Sequence, residues 1–216
     1  MSAVCRVAVL ASGAGSNLRA ILDAAQAEGF PATVVLVVSN RRQCGALEMA
    51  RSRGVEALTL PVGDFGNDAV VRDQALIEAL RAAGVELVVC AGYERVLSLD
   101  VLDAYPNAIL NVHPSLLPAF GGGMSAVEDA LAAGVKVTGC TVHLLAAGAV
   151  DGGPIVSQAA VAVEEDDDVD TLRARIHEQE WRLLPEAIAL WATGRLRPDG
   201  SRVRVLARAR LREGVG

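Results

Sequence analysis

The residues with the clearest chemical potential follow an apolar run near the middle of the chain. Asn111 and His113 stand two positions apart, and Pro114 comes directly after the histidine. A residue before proline is held extended, and side chains two positions apart on a strand project to the same side. An amide and an imidazole placed together can donate two hydrogen bonds to the oxyanion of an acyl transfer. We predict that role for the pair; the alternative is a histidine bonded to carbonyl groups in a loop.

A glycine-rich segment near the start of the chain is a second candidate site. It reads Gly13, Ala14, Gly15, Ser16, Asn17. Glycines let the backbone approach an anion, and the N–H groups that begin a helix bind phosphate. The segment is predicted as a phosphate-binding loop, with a nicotinamide dinucleotide site and a simple tight turn as alternatives. The dinucleotide fingerprint is incomplete, because Leu18 takes the place of its third glycine.

Asp151 is a third candidate, in a glycine-rich connection that follows an apolar run carrying His143. Two interpretations of this aspartate stay open. Its side chain either makes a local turn with its own backbone or accepts a hydrogen bond from His113 and so orients the imidazole.

Short β-branched runs alternate with longer alanine- and leucine-rich runs, and these elements must position the candidates. Strands are predicted at 4–10, 33–38, 55–60, 86–91 and 108–112, and helices at 18–27, 44–53 and 68–83. Continuously apolar strands are buried on both faces, which is typical of a parallel sheet covered by helices. The fold class is therefore predicted as α/β, a doubly wound, mostly parallel, Rossmann-like sheet. Ligands of such sheets bind at the carboxyl ends of the strands, where residues 13–17 and His113 stand.

The second half of the chain predicts an antiparallel C-terminal extension. Two extended runs are separated by a glycine-rich connection, a pattern typical of antiparallel pairing. Strands are predicted at 135–145 and 154–163, helices at 125–133 and 171–191, and either an edge hairpin or a loose tail at 195–216. We predict one domain over 1–216, with a phosphate-binding half at about 1–110, a catalytic half at 111–195 and a tail at 196–216.

Composition excludes several classes of protein. The 216 residues carry 20 basic and 26 acidic side chains, a net charge of −6, which argues against a nucleic-acid partner. No apolar run reaches the roughly 20 residues of a membrane helix, and the first residues lack the features of a signal peptide. We therefore expect a cytoplasmic protein without a membrane partner. The four cysteines are far apart, so we expect no metal site or disulfide framework.

Five sequence blocks, in this order, resemble those of the phosphoribosylglycinamide formyltransferases, a folate-dependent family of purine biosynthesis. The likeness runs from about Arg6 to Leu196. The blocks are Ala11-Ser12-Gly13-Ala14-Gly15-Ser16-Asn17-Leu18, Ser39-Asn40, Ala91-Gly92-Tyr93-Glu94-Arg95-Val96-Leu97, Asn111-Val112-His113-Pro114-Ser115-Leu116-Leu117-Pro118 and Asp151-Gly152-Gly153-Pro154.

The resemblance implies transfer of a formyl group from 10-formyltetrahydrofolate to the amine of glycinamide ribonucleotide. It implies that Asn111, His113 and Asp151 form the catalytic trio. The acceptor would be bound by Gly15, Ser16, Asn17 and Glu180, and the folate by Arg95, Val96 and Leu97. From the residues alone, Glu180 is equally an exposed helix residue and Arg95 a member of a surface ion pair. The partners would be small molecules, and the protein a monomer or homodimer.

The chain departs from the family pattern beside the implied folate site. It reads Phe120-Gly121-Gly122-Gly123-Met124 where the family usually has a Pro-Gly-x-His stretch. One extra residue stands between His143 and Asp151, and Glu94 replaces a common methionine. Two alternatives therefore stay open: a related formyltransferase that acts on another amine, and a relative that binds folate or a nucleotide without catalysis.

Overall fold

The computed structural model describes residues 4–148 and 150–207. Within these ranges nine strands form a single sheet. They are β1 (Cys5–Leu10), β2 (Ala32–Ser39), β3 (Glu56–Thr59), β4 (Leu87–Cys90), β5 (Ile109–His113), β6 (Val137–Leu144), β7 (Ile155–Ala162), β8 (Leu196–Asp199) and β9 (Arg202–Val205). The helices are α1 (Ser16–Ala25), α2 (Gly45–Ser52), α3 (Ala69–Ala82), α4 (Leu99–Ala104), α5 (Ala126–Ala132) and α6 (Val169–Ala192).

The strand order is β3-β2-β1-β4-β5-β6-β7-β9-β8. Strands β1 to β5 are parallel, and the order reverses at β1, which pairs with β2 on one side and β4 on the other. Strand β6 runs antiparallel to both β5 and β7. The predicted α/β class, with its parallel sheet and antiparallel extension, is confirmed.

The C-terminal segment contains the edge hairpin, one of its two predicted alternatives. Strands β8 and β9 pair antiparallel, and β9 joins the main sheet beside β7. Residues 208–216 of the predicted tail lie outside the described residues.

Each face of the sheet is covered by its own set of helices. Val7 and Val9 of β1 pack in one apolar cluster with α1, α2, α5 and α6. Ala8 and Leu10 alternate with them and pack in a second cluster with α3 and α4. We call these the α1/α6 face and the α3/α4 face. In β5, Leu110 belongs to the first face.

Local signals set the helix boundaries. The Asp168 carboxylate accepts hydrogen bonds from Asp170 N and Thr171 N, forming a capping box that starts α6 two residues before the predicted position. Helix α4 was not predicted, because six residues are too few for a helical apolar period to be recognised. Across the described ranges, the helices lack the combination of length and apolar character that crossing a bilayer requires.

Candidate active site

Residues 13–17, the glycine loop, connect β1 to α1 at the point where the strand order reverses. Gly15 precedes the helix with a left-handed φ of 85°, and no side chain caps the helix. A Cβ on Gly15 would lie 2.8 Å from Ala46 Cα, so the loop packs directly on α2. The uncapped N–H groups of the first helical turn are the kind of donors that bind an anion.

Ser12 joins three loops at this edge of the sheet. Its hydroxyl donates to Asn40 Oδ1 at 2.5 Å and accepts from Glu94 N at 3.0 Å. The connections after β1, β2 and β4 are therefore held together beside the glycine loop.

A cleft of about 270 Å³ opens beside the glycine loop on the α1/α6 face. Its walls come from the loop, from the ends of β4 and β5, and from α5 and α6. The lining residues are Gly13, Ala14, Gly15, Ser16, Asn17, Ala91, Gly92, Val112, Pro114, Met124, Ala126, Val127, Glu128, Arg173, His177 and Glu180. The predicted acceptor residues Gly15, Ser16, Asn17 and Glu180 thus lie together in one cleft.

Glu180 is buried, with 3% of its surface exposed, which is unlike a solvated helix residue. Its Oε2 accepts a hydrogen bond from Asn17 Nδ2 at 2.7 Å. Burial raises the pKa of Glu180 to about 7, although the Asn17 hydrogen bond opposes this shift. The cleft therefore contains a carboxyl group that can exchange a proton near neutral pH.

His177 and Arg173 also line the cleft, from the same helix face as Glu180. The His177 ring stacks on Trp181, and burial lowers the pKa of this histidine, as does the nearby Arg173. Neither residue was predicted from the sequence. The signal that was present is their spacing: His177 stands three positions before Glu180, and Arg173 four positions before His177, which places all three on one face of a helix.

Asn111, His113 and Asp151 form a polar trio at the end of β5. Asp151 Oδ2 lies 3.4 Å from His113 Nδ1, and Asp151 Oδ1 accepts from Asn111 Nδ2 at 3.5 Å. Asp151 adopts a left-handed φ of 56°, and its Oδ2 also accepts from Gly122 N at 2.9 Å. Of the two interpretations of Asp151, the contact with His113 is the one present in the structure.

The donors of the trio are all occupied by protein groups. His113 Nε2 lies 3.0 Å from the Phe120 carbonyl oxygen, and Asn111 Nδ2 lies 3.0 Å from His143 Nε2. His113 Nε2 is therefore already paired with a backbone carbonyl oxygen in this structure.

His143 also belongs to this site, although it was not predicted from the sequence as a site residue. It lies on β6 directly opposite Asn111 and is fully buried. Burial lowers its pKa, with Asp151 opposing the shift. The signal was a buried-strand histidine, and it points to Asn111 only when the pairing of β5 with β6 is known.

The loop after β4 carries the predicted folate residues. Leu97 is buried in the cluster of the α3/α4 face, whereas Arg95 and Val96 are exposed. The loop is tied to α3 through Arg72 and Asp73, which form a buried ion pair on that helix. Arg72 Nη1 donates to Tyr93 Oη at 3.0 Å. Ser98 N donates to an Asp73 carboxylate oxygen at 2.7 Å.

The two groups of candidate residues lie on opposite faces of the sheet. Val112 lines the cleft on the α1/α6 face, and strand alternation directs Asn111 and His113 to the α3/α4 face. Leu97 of the implied folate loop packs on that same face. The end of β5 contributes residues to both groups, Val112 to the cleft and Asn111 and His113 to the opposite face.

Comparison with known proteins identifies the family. The formyl transferase family model matches residues 5–188. A phosphoribosylglycinamide formyltransferase from Mycobacterium tuberculosis is 47% identical over 193 residues, which are 89% of this chain and 87% of that protein. The chain belongs to the phosphoribosylglycinamide formyltransferase family. The enzyme class that the sequence predicted, a formyltransferase of purine biosynthesis, is confirmed.

Two further relatives of the formyltransferase extend this result. The crystal structure of glycinamide ribonucleotide transformylase 1 from Symbiobacterium toebii is 49% identical, covers 96% of each chain and superposes with a TM-score of 0.92. The trifunctional purine biosynthetic protein adenosine-3 of Drosophila melanogaster is 44% identical over 88% of this chain. The chain spans only 14% of the length of that protein.

Proposed function

We propose that this formyltransferase moves the formyl group of 10-formyltetrahydrofolate to the primary amine of glycinamide ribonucleotide. The acceptor occupies the cleft, with its phosphate on the glycine loop. The folate donor occupies the α3/α4 face beside Arg95, Val96 and Leu97. The reaction takes place in the cytoplasm, on small-molecule substrates.

The observation that carries the proposal is the placement of the polar trio at the end of β5. Asn111 and His113 lie on the face of the implied folate loop, next to the tip of the strand whose Val112 lines the cleft. An amine anchored in the cleft and a formyl group held on the other face therefore meet at this tip.

In the chemical step the acceptor nitrogen attacks the formyl carbon, and the formyl oxygen becomes negatively charged. Asn111 and His113 then donate hydrogen bonds to this oxygen, once Phe120 has released His113 Nε2 and Asp151 has released one N–H of Asn111. Preorganised donors of this type each contribute about 3 kcal/mol to the transition state. The bond between the formyl carbon and the folate nitrogen breaks, and the proton lost by the amine passes to that nitrogen. Asp151 holds the imidazole in position for both steps.

The test combines turnover of the wild-type chain with the variant His113→Ala. The wild type is expected to convert glycinamide ribonucleotide, followed by the change in folate absorbance, and the variant to lose at least about 100-fold in kcat. Arg204→Gln, an exposed site on β9, is the control and keeps its rate. Turnover with a different amine only, or an unchanged rate in His113→Ala, contradicts the proposal.

A further inference from the structure

Arg173 brings a permanent positive charge to the wall of the cleft. Its side chain is 37% exposed, with Nη2 at 2.6 Å from Glu128 Oε1 and Nη1 at 3.3 Å from Asp170 Oδ1. Arg173 and Glu128 line the same cleft as the glycine loop. Among the described residues that line this cleft, Arg173 is the one arginine or lysine.

The remaining charges of the cleft do not suit a phosphate dianion. Glu128 and Glu180 both line it, whereas the glycine loop offers neutral backbone N–H groups and the Ser16 hydroxyl. A guanidinium is the side chain best matched to phosphate, because its donors form paired, charge-assisted hydrogen bonds. A partly exposed ion pair such as Arg173 with Glu128 is weak, so the guanidinium is free to exchange its partner.

We propose that Arg173 determines specificity for the phosphorylated acceptor, by leaving Glu128 and donating to the phosphate that the glycine loop holds. Glu128 then competes with the phosphate for the same guanidinium. The two residues therefore have opposite effects on acceptor affinity. This inference rests on the proposed function, since it assumes that the acceptor phosphate occupies the cleft.

The test measures binding of two ligands by calorimetry: glycinamide ribonucleotide and the corresponding riboside without phosphate. Arg173→Gln is expected to weaken binding of the ribonucleotide about 10- to 100-fold, the effect of losing a hydrogen bond to a charged group, and to leave binding of the riboside unchanged. Glu128→Gln is expected to strengthen binding of the ribonucleotide about 2- to 5-fold. Arg182→Gln, which removes an exposed arginine of α6 paired with Glu186, is the matched control and changes neither affinity.

Other results overturn the inference. If Arg173→Gln weakens binding of both ligands equally, or if Glu128→Gln weakens binding of the ribonucleotide, the ion pair serves only to hold α5 against α6. The Glu128 variant keeps the test decisive where Arg173→Gln does not fold. A wild-type chain that neither binds nor formylates the ribonucleotide contradicts the proposed function instead.

Discussion

Asn111 Nδ2 lies 3.0 Å from His143 Nε2, while His143 Nδ1 lies 3.2 Å from the Leu144 carbonyl oxygen. A carbonyl oxygen only accepts, so the ring proton belongs on Nδ1, and Nε2 accepts from the amide. Burial lowers the pKa of His143 and keeps this neutral form. The buried imidazole thus fixes which end of the Asn111 amide carries the donors.

We expect His143→Phe to lower kcat about tenfold, because Asn111 loses the acceptor that orients its amide. His143→Gln, whose side-chain oxygen replaces the acceptor, should recover part of the rate. Steady-state kinetics with both substrates checks this. An equal kcat in Phe and Gln variants would show that the imidazole only fills space.

Asp151→Asn is expected to lower kcat by about 100-fold or more, because the charge that orients His113 is lost. Asparagine tolerates the left-handed φ of 56° at this position, so the backbone should keep its conformation. Thermal unfolding measured alongside kcat separates a loss of catalysis from a loss of stability. Asp199→Asn, which removes an exposed carboxylate paired with Arg204, is the control. A variant with normal kcat contradicts the proposed role of Asp151.

Glu180 makes stability depend on pH. Burial raises its pKa from 4.5 to about 7. Between these two pH values the unfolded chain releases the proton while the folded chain keeps it, so the free energy of unfolding falls as the pH rises. Glu180→Gln removes this dependence. It is expected to gain on the order of 3 kcal/mol in unfolding free energy relative to wild type at pH 8, with no gain below pH 4.5.

Urea unfolding at pH 4 and pH 8 checks the Glu180 prediction. Glu186→Gln, which changes an exposed carboxylate of the same helix, is the matched control and should have the same small effect at both pH values. A gain for Glu180→Gln that does not change with pH would place the titration elsewhere.

Gly15→Ala is expected to destabilise the fold by more than Gly29→Ala. Both glycines have a left-handed φ, 85° and 80°, so both substitutions carry about 1 to 2 kcal/mol of backbone strain. A Cβ at Gly29 meets nothing within 4 Å, whereas at Gly15 it meets the backbone of Ala46 at 2.8 Å. Thermal unfolding of the two variants isolates this contact, and equal losses would show that the glycine loop can move away from α2.

Asp73→Asn is expected to raise KM for the formyl donor while KM for the acceptor stays constant. The change leaves the Arg72 charge buried without its partner, at a cost of about 3 to 5 kcal/mol in stability. It also weakens the acceptor for Ser98 N, and this hydrogen bond holds the end of the loop that we propose binds folate. The double variant Arg72→Met with Asp73→Leu should recover stability without restoring the donor KM. Asp100→Asn, at the exposed end of α4, is the control.

The parallel sheet and the glycine loop were predictable because local sequence determines them. Continuous apolar runs mark doubly covered strands, and Gly15 marks a backbone conformation that other residues avoid. The spacing of Asn111 and His113 correctly placed both side chains on one side of β5. Strand periodicity says nothing about which helices cover that side, so the position of the two groups of candidate residues on opposite faces of the sheet was not predictable.

Residues of the site that depend on distant pairing were missed for the same reason. His143 faces Asn111 only through the antiparallel register of β6 on β5. Arg72 is a charged residue of α3, a type that normally indicates the solvent side of a helix, yet it is buried and donates to Tyr93 of the loop after β4. Such contacts join positions whose separation along the chain carries no local signal.

The hydrogen bond between Asn17 and Glu180 joins residues 163 positions apart. During synthesis from the N-terminus, the glycine loop is therefore made long before the helix that supplies the opposite wall. A nascent chain without α6 has an incomplete cleft, whatever the state of its first strands. The proposed acceptor site is thus completed only when translation has passed α6.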